Sequence, residues 1–272
     1  MITSEAYSWI TILMCIGLFQ LSLEDFVIAV RHRAIMNFPI ANEGLVSGYM
    51  KVFRFAYDGT GAWVLKILTL MCALTCIGLV IAGLNPRFVL MVIFFFHLLS
   101  YPRWRHFVSS DSPLFRVILT VLLLYYFLPD SPVITEAGLL FLSTYLVLIY
   151  HLTGLQKLKS RLWRNGQAIE NFMNRFPFWR MVSPVPKKSK WFIRTASWGV
   201  MLFELCFFIG LFWPQAAPVF LMAGLLFHGV LSVTVGINHF LWTFIAVYPA
   251  YNHMSGKVLE TLSHFADIYA GL

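Results

Sequence analysis

Tyr150, Gly154 and Lys157 fall in the run YLVLIYHLTGLQKLKSRLWRNGQAI, residues 145–169. At helical spacing a phenol, a bare backbone position and an amine share one face. The glycine opens a gap between the two polar groups, which a flat ring or a peptide backbone could enter. A lysine at the end of an apolar helix also has a plain role, snorkelling to the interface. Glu204 stands in the middle of the apolar run VMLFELCF, residues 200–207. An acid there is costly unless paired, protonated or hydrated. A structural hydrogen bond between helices meets the same need.

Four histidines lie in apolar segments. His228 and His239 are eleven residues apart, three helical turns, so they point roughly the same way. His97 and His151 belong to other segments at different depths, which argues against paired haem ligands. No H-E-x-x-H and no Cys/His cluster occurs, so no metal is predicted. Lone membrane histidines commonly serve as donors between helices. Asp111 follows the patch Arg103–His106; it pairs with Arg116 or caps the next helix. Cys15, Cys72, Cys76 and Cys206 all lie in apolar runs without a C-x-x-C, and read as small buried apolar residues.

Positioning these groups requires a membrane bundle. Of the 272 residues 59% are hydrophobic and only 12% charged, with mean hydropathy +0.75. No soluble core of this length hides so much apolar surface, so the chain reads as one polytopic all-α membrane domain, residues 1–272. Seven spans are expected, at about 6–23, 62–83, 88–101, 114–128, 134–155, 192–213 and within 219–248. The last run exceeds ~20 residues, so it tilts, kinks near Gly236 or ends in an interfacial piece after Asn238. Glu24 and Asp25 are expected to end the first span. That span has no basic residues before it and reads as a span rather than a cleaved signal.

Three segments are expected at the interface: 26–61, the basic and Trp-rich 156–192, and an amphipathic tail 254–272. The net charge of +8 is placed by the same layout. Loops after spans one, three, five and seven hold 19 of the 20 Lys and Arg when Lys66, Arg116 and Arg194 are counted with the loops they adjoin. The N-terminus then faces out and the C-terminus the cytoplasm. The charge serves the lipid bilayer rather than nucleic acid. No G-x-S-x-G, P-loop or dinucleotide fingerprint is present. No matching pair of interrupted spans marks a transporter.

The segment Tyr150-His-Leu-Thr-Gly154-Leu-Gln-Lys157 through Trp163, Gly166 and Ala168 resembles the motif shared by vitamin K-dependent γ-glutamyl carboxylases and bacterial HTTM proteins. Asn42-Glu-Gly44, the Gly83–Arg87 turn with Asp111, and Glu204 followed by His228 and Asn238-His-Phe240 fit the same pattern. The resemblance covers most of the chain. Size and layout look most like the stand-alone HTTM proteins of the sporulation-delaying-protein B type, which help mature a secreted peptide toxin.

The resemblance implies a site. Lys157 matches the lysine that deprotonates vitamin K hydroquinone, so the implied cofactor is a reduced quinone. O2 then converts the quinol into a stronger base, which removes a γ-proton from a peptide Glu before CO2 adds. Glu204 and His228 are the expected polar partners, with Tyr150, Gly154, Trp163, Asp111 and His239 around the substrate or cofactor. The partners implied are a small peptide substrate and a second maturation protein. Two features depart from the carboxylases. The large soluble domain that holds their substrate is absent, and the charge bias puts Lys157 on the cytoplasmic side whereas their site faces the lumen. The non-enzymatic alternative is a membrane assembly, export or immunity factor for a peptide toxin, cradling it for a partner protease.

Overall fold

The computed structural model describes residues 3–31, 59–104, 113–175, 189–235, 238–258 and 260–261. These residues are helices and turns. Four helical stretches are long and apolar enough to cross a membrane: Thr3–Val27, Thr60–Ile81, Pro132–Lys159 and Lys190–Phe212. Three shorter apolar helices, Arg87–Leu99, Pro113–Phe127 and Ala217–Val233, join them. Together these occupy the places of the seven expected spans. Apolar side chains also face outward along them, as Val64, Ile67, Leu68, Met71 and Leu74 do on one helix. A stripe of that kind suits hydrocarbon rather than water. The chain is an all-α membrane bundle, and it divides into two compact units.

The N-terminal unit holds residues 2–138 and 238–246. Its helices are α1 (Thr3–Arg31), α2 (Gly59–Ile81), α3 (Arg87–Trp104) and α4 (Pro113–Phe127). The first span does not stop at Glu24 and Asp25: α1 runs through both to Arg31. Their charges have partners inside the unit, which removes the reason to stop. Glu24 accepts from Gln20 at 2.8 Å and from Asn238, and Asp25 pairs with Lys66 at 2.5 Å. Lys66 is thus a partner within α2 rather than part of a loop.

The Gly83–Arg87 turn is present and has a physical basis. Gly83 adopts φ 71°, a conformation that L side chains avoid. Gly83 N donates to Val80 O at 3.0 Å and Leu84 N to Leu79 O at 2.8 Å, capping α2. Asn85 Oδ1 then accepts from Arg87 N at 3.0 Å and starts α3. Helix α4 opens on Pro113, where the missing N–H costs nothing. It buries Leu114, Phe115, Ile118, Leu119, Leu122 and Tyr126, a single helical face. Cys15 and Cys76 are buried and Cys72 half-buried, all as free thiols.

The C-terminal unit holds residues 139–237 and 247–272. It contains most of α5 (Pro132–Lys159), the short α6 (Arg161–Arg164), α7 (Gln167–Arg175), α8 (Lys190–Cys206), α9 (Ile209–Phe212), α10 (Ala217–Val235) and the end of α11 (Asn238–Met254). Within the basic segment, residues 161–164 and 167–175 form two short helices. The span at 190–212 is interrupted at Phe207 and Phe208. Carbonyls around the interruption find donors elsewhere: Tyr251 Oη gives to Phe207 O at 2.6 Å, Ser255 Oγ to Gly210 O at 2.5 Å, and Gly256 N to Leu211 O at 2.8 Å. Broken helices survive in membranes only with such compensation. In the long last run a new helix begins at Asn238 and continues past Pro249 to Met254. Gly236, most of the 26–61 segment, residues 176–188 and most of the tail lie outside the described residues.

Candidate functional site

Helix α5 carries the three residues of the opening motif on one buried side. Tyr150 is 2% exposed and Gly154 is buried. Lys157, one turn on, keeps 19% of its side chain exposed. A Cβ placed on Gly154 would meet Leu205 Cγ at 3.0 Å, and Glu204 Cβ and Leu205 N at 3.1 Å. The glycine therefore lets α8 approach α5 closely. The gap expected from sequence is filled by α8 itself, through the Leu205 side chain, Glu204 Cβ and the Leu205 backbone nitrogen.

That close approach puts Glu204 within reach of Lys157. The amine donates to Glu204 Oε1, forming an ion pair with a carboxylate only 3% exposed. Thr153 borders the carboxyl, with its hydroxyl directed to the carbonyls of Ile149 (2.9 Å) and Tyr150 (3.0 Å). The second carboxyl oxygen, Oε2, is buried and has no hydrogen-bond partner among the described residues. A bare carboxylate oxygen in an apolar interior is an open acceptor. His151 Nδ1 meets Leu205 O at 3.2 Å and fastens the same two helices.

The chain turns sharply beyond Lys157. Ser160 is extended, and Arg164 Nη1 donates to Leu158 O at 3.0 Å, covering an end carbonyl of α5. Gly166 has φ 86° and turns α6 into α7. Ser197 Oγ holds Trp163 O at 2.5 Å, and Trp198 Nε1 holds Arg164 O at 3.2 Å. With α6 pinned to α8, the Trp163 ring stands 5.1 Å from Lys157 Nζ, in cation–π range.

A second polar chain lies on the Tyr150 side. Its hydroxyl is 2.6 Å from His228 Nε2 and 3.4 Å from the Tyr248 hydroxyl. His228 is 3% exposed, and Tyr248 is buried too. If the phenol donates, the imidazole carries its proton on Nδ1. Phe203 and Phe207 pack on the Tyr150 ring at 5.4 Å and 4.2 Å between centroids, so the chain sits among aromatic rings.

The structure brings together Lys157, Glu204, Tyr150, Gly154, Trp163 and His228 within the C-terminal unit. The side chains of the other two expected residues are not among those described. Asp111 lies outside the described residues. His239 belongs to α11, in the part assigned to the N-terminal unit, and its side chain lies outside the described residues. Tyr248, Ser197 and Trp198 were missed from sequence. No spacing links them to the motif; the signal was only that each is a hydrogen-bonding side chain in an apolar setting.

No curated protein and no solved structure matches the chain. Residues 131–255, just under half of the chain and less than the resemblance read from sequence, match the HTTM domain. The matched span contains every residue that the geometry assembles. It supports the HTTM family and fits a membrane protein of the carboxylase-like kind.

Proposed function

We propose that the C-terminal unit is an intramembrane proton-transfer site acting on a reduced quinone, with Lys157 as base and Glu204 as its proton partner. The chain would serve the maturation of a small secreted peptide at the cell membrane, as in stand-alone HTTM proteins of the sporulation-delaying-protein B type. One observation carries this reading. A partly exposed amine is paired with a carboxylate buried in an apolar interior, and one carboxylate oxygen has no partner among the described residues. Glu204 is the carboxylate placed to receive the Lys157 proton, since the amine already donates to it. When Glu204 holds it, Lys157 is a free amine able to take another proton.

The residues suit the hydroxyl end of a reduced quinone. Once Glu204 holds the shared proton, Lys157 would accept the hydroxyl proton, and Trp163 offers a flat wall. Gly154 contributes close helix packing and no slot. When bound, the quinol would supply the hydroxyl proton and, with O2, the stronger base that the carboxylase resemblance implies. Tyr150, His228 and Tyr248 give a second path along which a proton can move.

The test is quinol oxidation by purified protein in lipid nanodiscs, followed by ultraviolet absorbance. Lys157→Ala is expected to lower turnover at least ~100-fold, the usual contribution of a general base. Unchanged turnover eliminates the base role.

The non-enzymatic reading has an observation of its own: the close packing at Gly154 clamps α5 to α8 without any chemistry at Lys157. An assembly, export or immunity factor needs no more than that. Under that reading Lys157→Ala leaves output of the mature peptide intact, while substitutions in 26–61 abolish it.

A further inference from the structure

The N-terminal unit contains a cavity of about 230 Å³ that the proposed chemistry does not use. It opens where the start of α1, the α2–α3 turn and the end of α4 converge. Ser4, Ser8, Leu84, Asn85, Tyr125 and Pro129 line it. By the charge distribution of the loops this is the outer side.

The hydrogen bonds of the wall indicate what the cavity would hold. Ser8 Oγ donates to Ser4 O at 3.0 Å, and Asn85 Nδ2 to Tyr126 O at 3.0 Å. Thr11 gives its proton to Tyr7 O at 2.8 Å, so Tyr126 is the donor in its 3.1 Å bond with Thr11. Ser8 Oγ keeps its acceptor capacity, and Asn85 Oδ1, which already accepts from Arg87 N at 3.0 Å, keeps one lone pair. These oxygens can accept from the N–H groups of a ligand. Tyr125 adds an aromatic wall, held in place by stacking on Tyr7 at 3.7 Å and 3°, and such a ring attracts cations.

The charges nearby agree. Glu5 follows Ser4 and Asp130 follows Pro129. Glu136 accepts the Thr3 hydroxyl at 2.9 Å. Among the described residues the opposing cation is Arg87, whose guanidinium lies over the rings of Phe88 (4.8 Å) and Phe127 (5.8 Å). We propose that this cavity binds an organic cation, an ammonium or guanidinium group carried by a peptide side chain or by a small amine.

Calorimetric titration of the full chain in nanodiscs tests this. The probes are the end-capped tripeptide Ala-Lys-Ala and n-butylammonium, with capped Ala-norleucine-Ala and n-butanol as neutral controls. Saturable binding of a cationic probe is expected, weakening as salt rises. Binding by the tripeptide alone assigns the group to a peptide; binding by both assigns it to the amine head itself. Ser8→Arg, which puts a tethered guanidinium at the cavity, should weaken binding about tenfold by competition. Asp130→Asn, on an exposed turn, should weaken it about threefold by loss of charge. Ser8→Arg should keep the parent's quinol turnover, which separates this site from the Lys157–Glu204 proposal. Equal binding of the neutral controls, no saturation, or parent-like binding by both variants overturns the assignment.

Discussion

Gly154→Ala tests the packing on which the site depends. The added methyl would sit 3.0–3.1 Å from Leu205 Cγ, Leu205 N and Glu204 Cβ, where ordinary contact begins near 3.4 Å. One of those atoms is backbone and another is the root of a side chain, so α8 itself must move. Overpacking of this kind costs about 1–3 kcal/mol, while alanine gains about 0.8–1.0 kcal/mol of helix propensity over glycine. The balance is a net loss of about 0–2 kcal/mol. Gly199 supplies the control, since a Cβ there meets nothing within 4 Å, so Gly199→Ala keeps only the propensity gain. The propensity gain cancels between the two variants, so they should differ by the overpacking cost alone, about 1–3 kcal/mol, or roughly 2–12 °C in Tm at about 2–4 °C per kcal/mol. Thermal unfolding of detergent-solubilised protein, followed by circular dichroism, measures the gap. A Gly154→Ala protein as stable as Gly199→Ala would refute the close-packing account.

Removing Lys157 alone strands a carboxylate in the interior, so Lys157→Met should destabilise by up to about 3–5 kcal/mol. Glu204→Leu should cost less, because Lys157 keeps a partly exposed side chain; the double variant should recover part of the loss in a denaturant-unfolding cycle. Gly166→Ala forces a side chain into a left-handed conformation at about 1–2 kcal/mol. It should loosen α6, seen as faster tryptic cleavage at Arg161 and Arg164.

The spans were legible because apolar runs of about 20 residues have few alternatives. The motif on α5 was legible because Tyr150, Gly154 and Lys157 are close enough in sequence for helical geometry to place them. Glu204 stood out as an acid in an apolar run, and its partner turned out to be the same lysine. Which groups would satisfy one another across distant segments was not legible. An acid after an apolar run ends a span when no partner is in view; Lys66, 41 residues on, supplies one to Asp25, and α1 continues. The gap at Gly154 was read as space because a sequence does not say which helix fills it. Tyr248 joined Tyr150 from 98 residues away, and periodicity carries no information over that separation.

The interruption at Phe207 and Phe208 has a consequence for how the chain is made. Gly210 and Leu211 reach the translocon some 45 residues ahead of the Ser255 and Gly256 groups that satisfy their carbonyls. Until those donors are synthesised, the broken segment has exposed acceptors in lipid and must borrow water or insertase contacts to remain in place. Completion of the C-terminal unit therefore waits on the last stretch of polypeptide, and quality-control proteases would find nascent chains halted before residue 255 an easy substrate.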